Sequence, residues 1–505
     1  MTEQLALLPG YLTAHLQLTL FALLIGTMVS IPVGVLITRS RWLEQPVLGV
    51  ASVIQTIPSL ALLALMVPAL AALGFRSIGF LPAFIGLVLY SVLPILRNTV
   101  EGLNGVDEAL VEAARGVGMT PRQRLRQIEL PLAMPVILAG VRTSTVWTVG
   151  VATLSTPVGA PSLGNYIFSG LQTRNLSAVL VGCVAAAALA LFLDGLVWAL
   201  GAAVLRRRRG WTRAVLVVIS VLYLFTGATL ISDLRPAKAG QVVVGAKTFT
   251  EQYILSEILS GHIQTVTGAP TRIVSSLGST VAFDALRADE IDVYVDYSGT
   301  VWATLMQRDT TGTNRDDILE GVRQFLREEH GIELVGSLGF ENAYALAMPR
   351  VQAEAMGVTR ISDLTASAAT LTIGGDYEFF GRPEWKAIES AYQLKFDEQR
   401  MMDASLMYQA AGSGQVDVIS AFSTDGRISA FDLVVLEDER GAIPPYDAVI
   451  LAGPRLVRER PDVIATLRQL IGTIDADRMR EMNRAVDQEG ASIASVAAQF
   501  LRDIR

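Results

Sequence analysis

The 505-residue sequence is poor in the residues that redox and metal chemistry use, with one cysteine and three histidines. Cys183 alone cannot close an intramolecular disulfide or build a multi-cysteine zinc site. His15, His262 and His330 are scattered, so no metal site is expected, and no Ser/His/Asp or Cys/His set marks a catalytic centre. Lysine is absent from residues 1–235, which carry 16 arginines against 9 acidic residues, a net charge of +7. The remainder carries 25 basic and 39 acidic residues, a net of −14. A basic half is thus joined to an acidic half of ordinary composition. The arginines of the first half gather in a few loops, which suits membrane orientation rather than nucleic acid. No basic n-region or small-residue cleavage site opens the sequence, so no removable signal peptide is expected. No cysteine follows residue 183, so no lipid anchor is expected on the second half and the membrane half is expected to hold it.

What the first half has is long apolar runs. Hydrophobic residues make up 51% of the chain, and its mean hydropathy of +0.43 is too high for an ordinary soluble protein. A membrane-spanning helix needs about 20 apolar residues. Six segments qualify, at roughly 13–38, 48–73, 77–96, 133–156, 177–205 and 213–232. Pro32, Pro58 and Pro68 fall inside them, where neighbours can satisfy freed carbonyls. Arginines cluster after the first span (Arg39, Arg41), between the third and fourth (Arg97, Arg115, Arg122, Arg124, Arg126), and between the fifth and sixth (Arg206 to Arg209, Arg213). All three loops lie on one side, which the positive-inside rule makes cytoplasmic, with both termini outside. Arg142 and Asp194 interrupt the apolar spans, each about 15 Å deep at 1.5 Å rise per residue. Charges at such depth are costly and pair with one another, or else line a translocation path.

The stretch Asp233-Leu-Arg-Pro-Ala-Lys-Ala-Gly240 reads as a linker, with residues 236–240 as its core. Beyond it, Val242-Val-Val-Gly245 reads as a buried strand, Glu251 to Thr265 as an amphipathic helix, and Ile291-Asp-Val-Tyr-Val295 as a second strand. Strands and helices alternate from there to the end, which predicts α/β layers in two lobes around a cleft. Gly240-Gln-Val-Val-Val-Gly245-Ala-Lys247-Thr248 imitates a phosphate-binding loop, but Ala246 intrudes before the lysine and the segment reads as a strand. The chain therefore carries no ATPase of its own.

The segment EAARGVGMTPRQRLRQIELP places Glu112, Ala113, Ala114, Gly118, Ile128, Leu130 and Pro131 at the spacing EAA-x3-G-x9-I-x-LP. The alternative is an amphipathic surface helix stopped by Pro131. In its membrane context this resembles the coupling loop of ABC importer permeases, in which a short helix docks on a separate ATP-binding subunit. One coupling loop per chain then implies two copies of the chain with two ATPases.

Across nearly all of residues 241–505, the second half resembles the osmoprotectant-binding proteins of ABC importers, which hold glycine betaine, choline or carnitine. The matching stretches are Lys247-Thr-Phe-Thr-Glu-Gln252, Leu277-Gly-Ser-Thr280, Asp292-Val-Tyr-Val-Asp-Tyr-Ser-Gly-Thr300, Asn342-Ala-Tyr344, Glu378-Phe-Phe-Gly-Arg382, Phe422-Ser-Thr-Asp-Gly-Arg-Ile428 and Pro444-Pro-Tyr446. The resemblance implies a trimethylammonium ligand. A quaternary ammonium has no N–H to donate and is held by aromatic ring faces, each worth roughly 0.5–2 kcal/mol. Tyr297, Tyr344, Tyr408 and Phe422 fall where the family places its cage, with Phe422 standing in for the usual tyrosine. Gln252, Thr300 and Arg382 are the donor candidates for an anionic end, although Arg382 has Glu378 and Glu384 as rival partners. Ser279 and Thr280 either cap a helix or touch ligand. Asp425 and Arg427 organise the turn around Gly426.

The expected architecture is an α-helical membrane domain of the ABC importer permease type, residues 1–235 with about six transmembrane helices. An α/β two-lobed domain like the periplasmic binding proteins follows at 241–505. The implied function is import of quaternary ammonium compounds across the bacterial cytoplasmic membrane, with the binding domain outside, an ATP-binding subunit and a second copy as partners, and no cofactor. Ergothioneine, a histidine betaine bearing a thioimidazole, is the alternative ligand; its bulk would suit Phe422 and Glu341 beside Asn342. A membrane-anchored solute sensor is the rival of another class, but it would need no ATPase dock.

Overall fold

A computed structural model describes residues 2–173, 175–206, 208–233, 240–308 and 314–504. Residues 236–239 of the expected linker lie outside the described residues. The chain divides into two compact units, one of residues 1–168 with 177–236, the other of residues 169–176 with 237–505.

In the first unit, Phe80–Asn104 packs along both Thr2–Ile37 and Leu130–Ala152. Small residues permit the close approach, as is usual where helices meet without a hydrophobic drive between them. A Cβ on Gly26 would fall 2.0 Å from Ser91 Oγ, and one on Gly140 would fall 2.7 Å from the Pro94 carbonyl. Ser144 Oγ donates to the Ser91 carbonyl at 3.0 Å across the second of these contacts. Leu5–Ile37, Phe80–Asn104, Pro121–Val158, Leu176–Leu205 and Arg209–Ile231 are each long and apolar enough to cross a membrane. The second expected span is not one straight helix. Trp42–Thr56 and Ser59–Ala72 meet at 98°. Ile57 and Pro58 between them are extended, with ψ of 128° and 131°. The proline ring drives the preceding residue out of the helical region, which accounts for the break. Counting the bent pair as one span gives six among the described residues.

The second unit holds two five-stranded sheets among the described residues. The strands are β1 (Val242–Lys247), β2 (Thr271–Leu277), β3 (Val293–Tyr297), β4 (Glu333–Glu341), β5 (Tyr344–Pro349), β6 (Thr372–Gly375), β7 (Glu398–Met401), β8 (Val418–Phe422), β9 (Leu433–Val435) and β10 (Asp447–Ala452). The first sheet runs β2-β1-β3-β10-β4 and the second β7-β6-β8-β5-β9. In each, a parallel βαβ half meets antiparallel strands: β10 runs against β3 and β4, and β5 against β8 and β9. The chain passes between the sheets twice, at Asn342–Ala343 and again between β9 and β10. All six residues of β1 are buried, as a parallel strand covered on both faces requires. The segment that imitates a phosphate loop is thus this strand.

Candidate functional site

The cavity forms where strands of both sheets end, the usual ligand position in open α/β sheets. It has a volume of about 270 Å³. Tyr297 ends β3, Tyr344 opens β5, Phe422 ends β8, and Tyr446 precedes β10. All four line the cavity, together with Phe249, which holds an extended conformation just before helix Thr250–Thr267. Tyr344 and Phe422 are register partners across β5 and β8, with ring centroids 5.1 Å apart. Phe249 lies 6.2 Å from Tyr297 and 6.4 Å from Phe422, and Tyr446 lies edge-on 6.0 Å from Tyr344. The glycine of the Asp-Tyr-Ser-Gly-Thr stretch explains how Tyr446 fits: a Cβ on Gly299 would meet three carbons of its ring at 2.8 Å.

Two of the rings already face a protein cation. Lys247 Nζ lies 5.6 Å from the Tyr297 centroid, and the Arg382 guanidinium lies 5.1 Å from that of Tyr344. Burial holds the hydroxyls of Tyr297, Tyr344 and Tyr446 well above the usual phenol range, so the rings are neutral. Burial also raises the Asp376 carboxyl at the cavity wall.

Thr300 and Arg382 line the cavity. Arg382 is shared: Nη1 donates to Glu378 at 3.1 Å, Nη2 to Thr304 at 3.1 Å, and Nε to Glu384 at 3.3 Å. Both rival carboxylates therefore hold it. Gln252 stands one layer back, fully buried, and donates to the Tyr297 hydroxyl at 3.1 Å. Tyr408 is a correction. It lies in the core beneath β8, 0% exposed, with Arg427 stacked 4.4 Å from its ring centroid and its hydroxyl accepting from the Phe422 N–H. Its helix, Ala404–Gly412, turns that face inward, so the ring supports the cavity wall without reaching it. Asp425 accepts from both the backbone N–H and the guanidinium of Arg427, the expected turn. Ser279 lines the cavity, while the cap position of its helix is Gly278.

The residue that spacing did not flag is Glu251, 2% exposed on the cavity wall. It accepts from Tyr297 Oη at 2.5 Å, Asn342 Nδ2 at 3.1 Å, Thr424 Oγ1 at 2.6 Å and Asn483 Nδ2 at 3.3 Å. Burial pushes its carboxyl upward, and the four donors pull against that push. Asn342 and Asn483 turn their nitrogens to it. Their Oδ1 atoms are buried and, among the described residues, have no partner.

In the first unit, Glu112, Ala113 and Ala114 lie on helix Glu108–Gly116, capped by Asp107. Glu112 and Ala113 are exposed and Ala114 is buried. Gly118 then takes φ of +79°, the left-handed region. Thr120 and Gln123 form a reciprocal capping box, and a π-helical turn at Leu125–Glu129 leads into Leu130–Ala152. Pro131 thus stands in the first turn of a helix and does not end one. Ile128 and Leu130 flank buried Glu129, which takes Arg124 Nε at 2.7 Å and also the guanidinium of Arg39 at the end of the first helix. Arg142 grips Asp194 with two bonds of 2.8 Å.

The family model described as the substrate-binding domain of ABC-type glycine betaine transport systems matches residues 240–503. That of binding-protein-dependent transport system inner membrane components matches residues 30–211. The chain is 30% identical over 468 residues to the ergothioneine transport permease/ergothioneine binding protein EgtU of Helicobacter pylori (strain G27), covering 90% of this chain and 82% of that one. It is 43% identical over 180 residues to the choline transport system permease protein OpuBB of Bacillus subtilis (strain 168), covering 36% of this chain and 80% of the relative. A crystal structure described as a glycine betaine/carnitine/choline ABC transporter aligns with 52% of this chain and 98% of its own at 29% identity and a TM-score of 0.46.

Proposed function

This chain belongs to the ABC importer family that joins a binding-protein-dependent permease to a glycine-betaine-type substrate-binding domain, and we propose that its cavity captures a trimethylammonium solute for import. As a family member it is a transporter component, not an enzyme, a multi-pass protein of the inner membrane with its binding domain on the extracytoplasmic side. The observation that carries the ligand class is the ring set. Phe249, Tyr297, Tyr344, Phe422 and Tyr446 converge on one cavity from both lobes. Neutral ring faces attract a cation that cannot hydrogen-bond.

We assign residues 1–235 to the permease, 236–240 to the linker and 241–505 to the binding domain. Glu112, Ala113, Ala114 and Gly118 form the dock for an ATP-binding subunit, held in place by Ile128, Leu130 and Pro131. Two copies of the chain complete the translocation path. Glycine betaine, choline and carnitine are the first ligands to test.

One observation favours ergothioneine over glycine betaine. The partnerless acceptors of Asn342 and Asn483 stand at a cavity with several carboxylates. Glycine betaine has no N–H or O–H to offer them, whereas the thioimidazole of ergothioneine does. A relative that matches both halves carries that ligand in its name. Titrating the full chain, held in lipid nanodiscs, with the four compounds tests the proposal. Binding of at least one is expected, and binding of none contradicts it.

A further inference from the structure

We propose that Glu251 is an ionised positioning residue that gives the cavity its preference for cations, acting through Tyr297. The inference rests on reading the cavity as a trimethylammonium site.

The protonation state follows from the donors. An ionised carboxylate has about four acceptor sites and no hydrogen, whereas a carboxylic acid must place one hydrogen on a neighbour. Each oxygen of Glu251 has two neighbours, Tyr297 and Asn342 on one side, Thr424 and Asn483 on the other. The two asparagines present only N–H groups. The Tyr297 oxygen receives Gln252 Nε2, so its own hydrogen points to Glu251. Thr424 supplies the fourth. In this arrangement all four sites face donors, the pattern that an ionised carboxylate accepts.

Among the described residues, no Lys, Arg or His pairs with this carboxylate. Around the cavity Lys247 pairs with Asp296, Arg382 with Glu378 and Glu384, and Arg427 with Asp425, while Asp376, Asp403 and Asp487 also stand on its wall. Glu251 is therefore a negative charge with no cation of its own, on the cavity wall beside the Tyr297 ring. A phenol donating to a carboxylate at 2.5 Å gains electron density, so the ring face turned to the ligand becomes more negative. The charge itself also attracts a cation through a low-dielectric wall, where such attraction is much stronger than in water. A neutral ligand of the same shape gains from neither effect.

The residue also bridges the fold. Tyr297 belongs to the first sheet, Asn342 to a crossing and Thr424 to the turn after the second sheet's β8. The ring that Glu251 polarises is thus oriented by contacts from both lobes.

The test uses the full chain in nanodiscs with choline and its neutral carbon isostere, 3,3-dimethylbutan-1-ol, as probes at millimolar concentration. The wild type should prefer choline. Glu251→Gln should weaken choline by at least about fivefold and the alcohol by less than about twofold, a range set by cation–π strengths. Tyr297→Phe, which keeps the ring and cuts the link, should also lower the choline-to-alcohol ratio, and the double variant should lower it by less than the two single losses combined. Should Glu251→Gln fail to fold, Tyr297→Phe alone decides: an unchanged ratio overturns the proposal. An unchanged ratio in Glu251→Gln, or additive losses in the double variant, also overturns it while the trimethylammonium reading stands. A wild type that binds the two probes equally, or binds neither, refutes that reading and this inference with it.

Discussion

The rings of Phe249 and Phe422 lie within 1° of parallel with centroids 6.4 Å apart, and each comes from a different lobe. Phe249 follows β1 of the first sheet, and Phe422 ends β8 of the second. Their alignment depends on how the lobes meet, so it is a product of the whole domain. Replacing Phe249, Phe422 or Tyr344 by leucine keeps apolar bulk and removes the ring quadrupole. Each change should weaken solute binding by about two- to thirtyfold in calorimetric titration. Tyr408→Leu, behind the wall, should lower the unfolding temperature more than it lowers affinity, the reverse of the cavity rings.

Arg142 and Asp194 form a bidentate pair between two apolar helices. Removing one partner strands a charge between apolar helices. Arg142→Leu and Asp194→Leu should each lower folded yield more than the double variant does. A double variant no better than the worse single would show that the pair is not what the helices need.

Gly118 holds φ of +79° in open space, with nothing within 4 Å of where a Cβ would stand. A side chain there meets no clash, so the penalty is backbone alone, about 1–2 kcal/mol for the left-handed region and greater for a β-branched residue. Gly118→Val should abolish uptake in cells while solute binding to the full chain persists. Normal uptake by the variant would remove this turn from the coupling surface.

Asn342 and Asn483 commit their nitrogens to Glu251, which leaves two buried oxygens needing donors. A ligand with N–H groups should therefore bind more tightly than glycine betaine, by about tenfold for one satisfied buried acceptor. Competition of ergothioneine against glycine betaine on the full chain measures this directly. Tighter glycine betaine would show that those oxygens are not presented to ligand.

Much of this was legible in the sequence because it rests on local patterns. A continuous apolar run marked β1, long apolar runs marked the spans, and the arginine loops marked their orientation. Tyr297, Tyr344 and Phe422 sat at strand ends, where a side chain leaves the sheet for the cleft. Tyr408 misled because a helix position looks like any other until its inward face is known. Phe249 escaped because an aromatic just before a helix reads as a staple. Glu251 reads as an ordinary first-turn acid favoured by the helix dipole. Its four partners lie 46, 91, 173 and 232 residues away, a network that no spacing rule displays. Pro58 is tolerated inside a span as far as the sequence shows, and the 98° break beside it depends on what each half packs against.

The central claim is that the cavity recognises a quaternary nitrogen by ring faces. The most direct measurement is calorimetric titration of the full chain with whichever of glycine betaine, choline, carnitine and ergothioneine binds, beside an analogue in which carbon replaces that nitrogen. The shape is unchanged and only the charge is lost. The analogue should bind at least about tenfold more weakly, the sum of several ring contacts. Equal affinity for the charged and neutral compounds would contradict the claim.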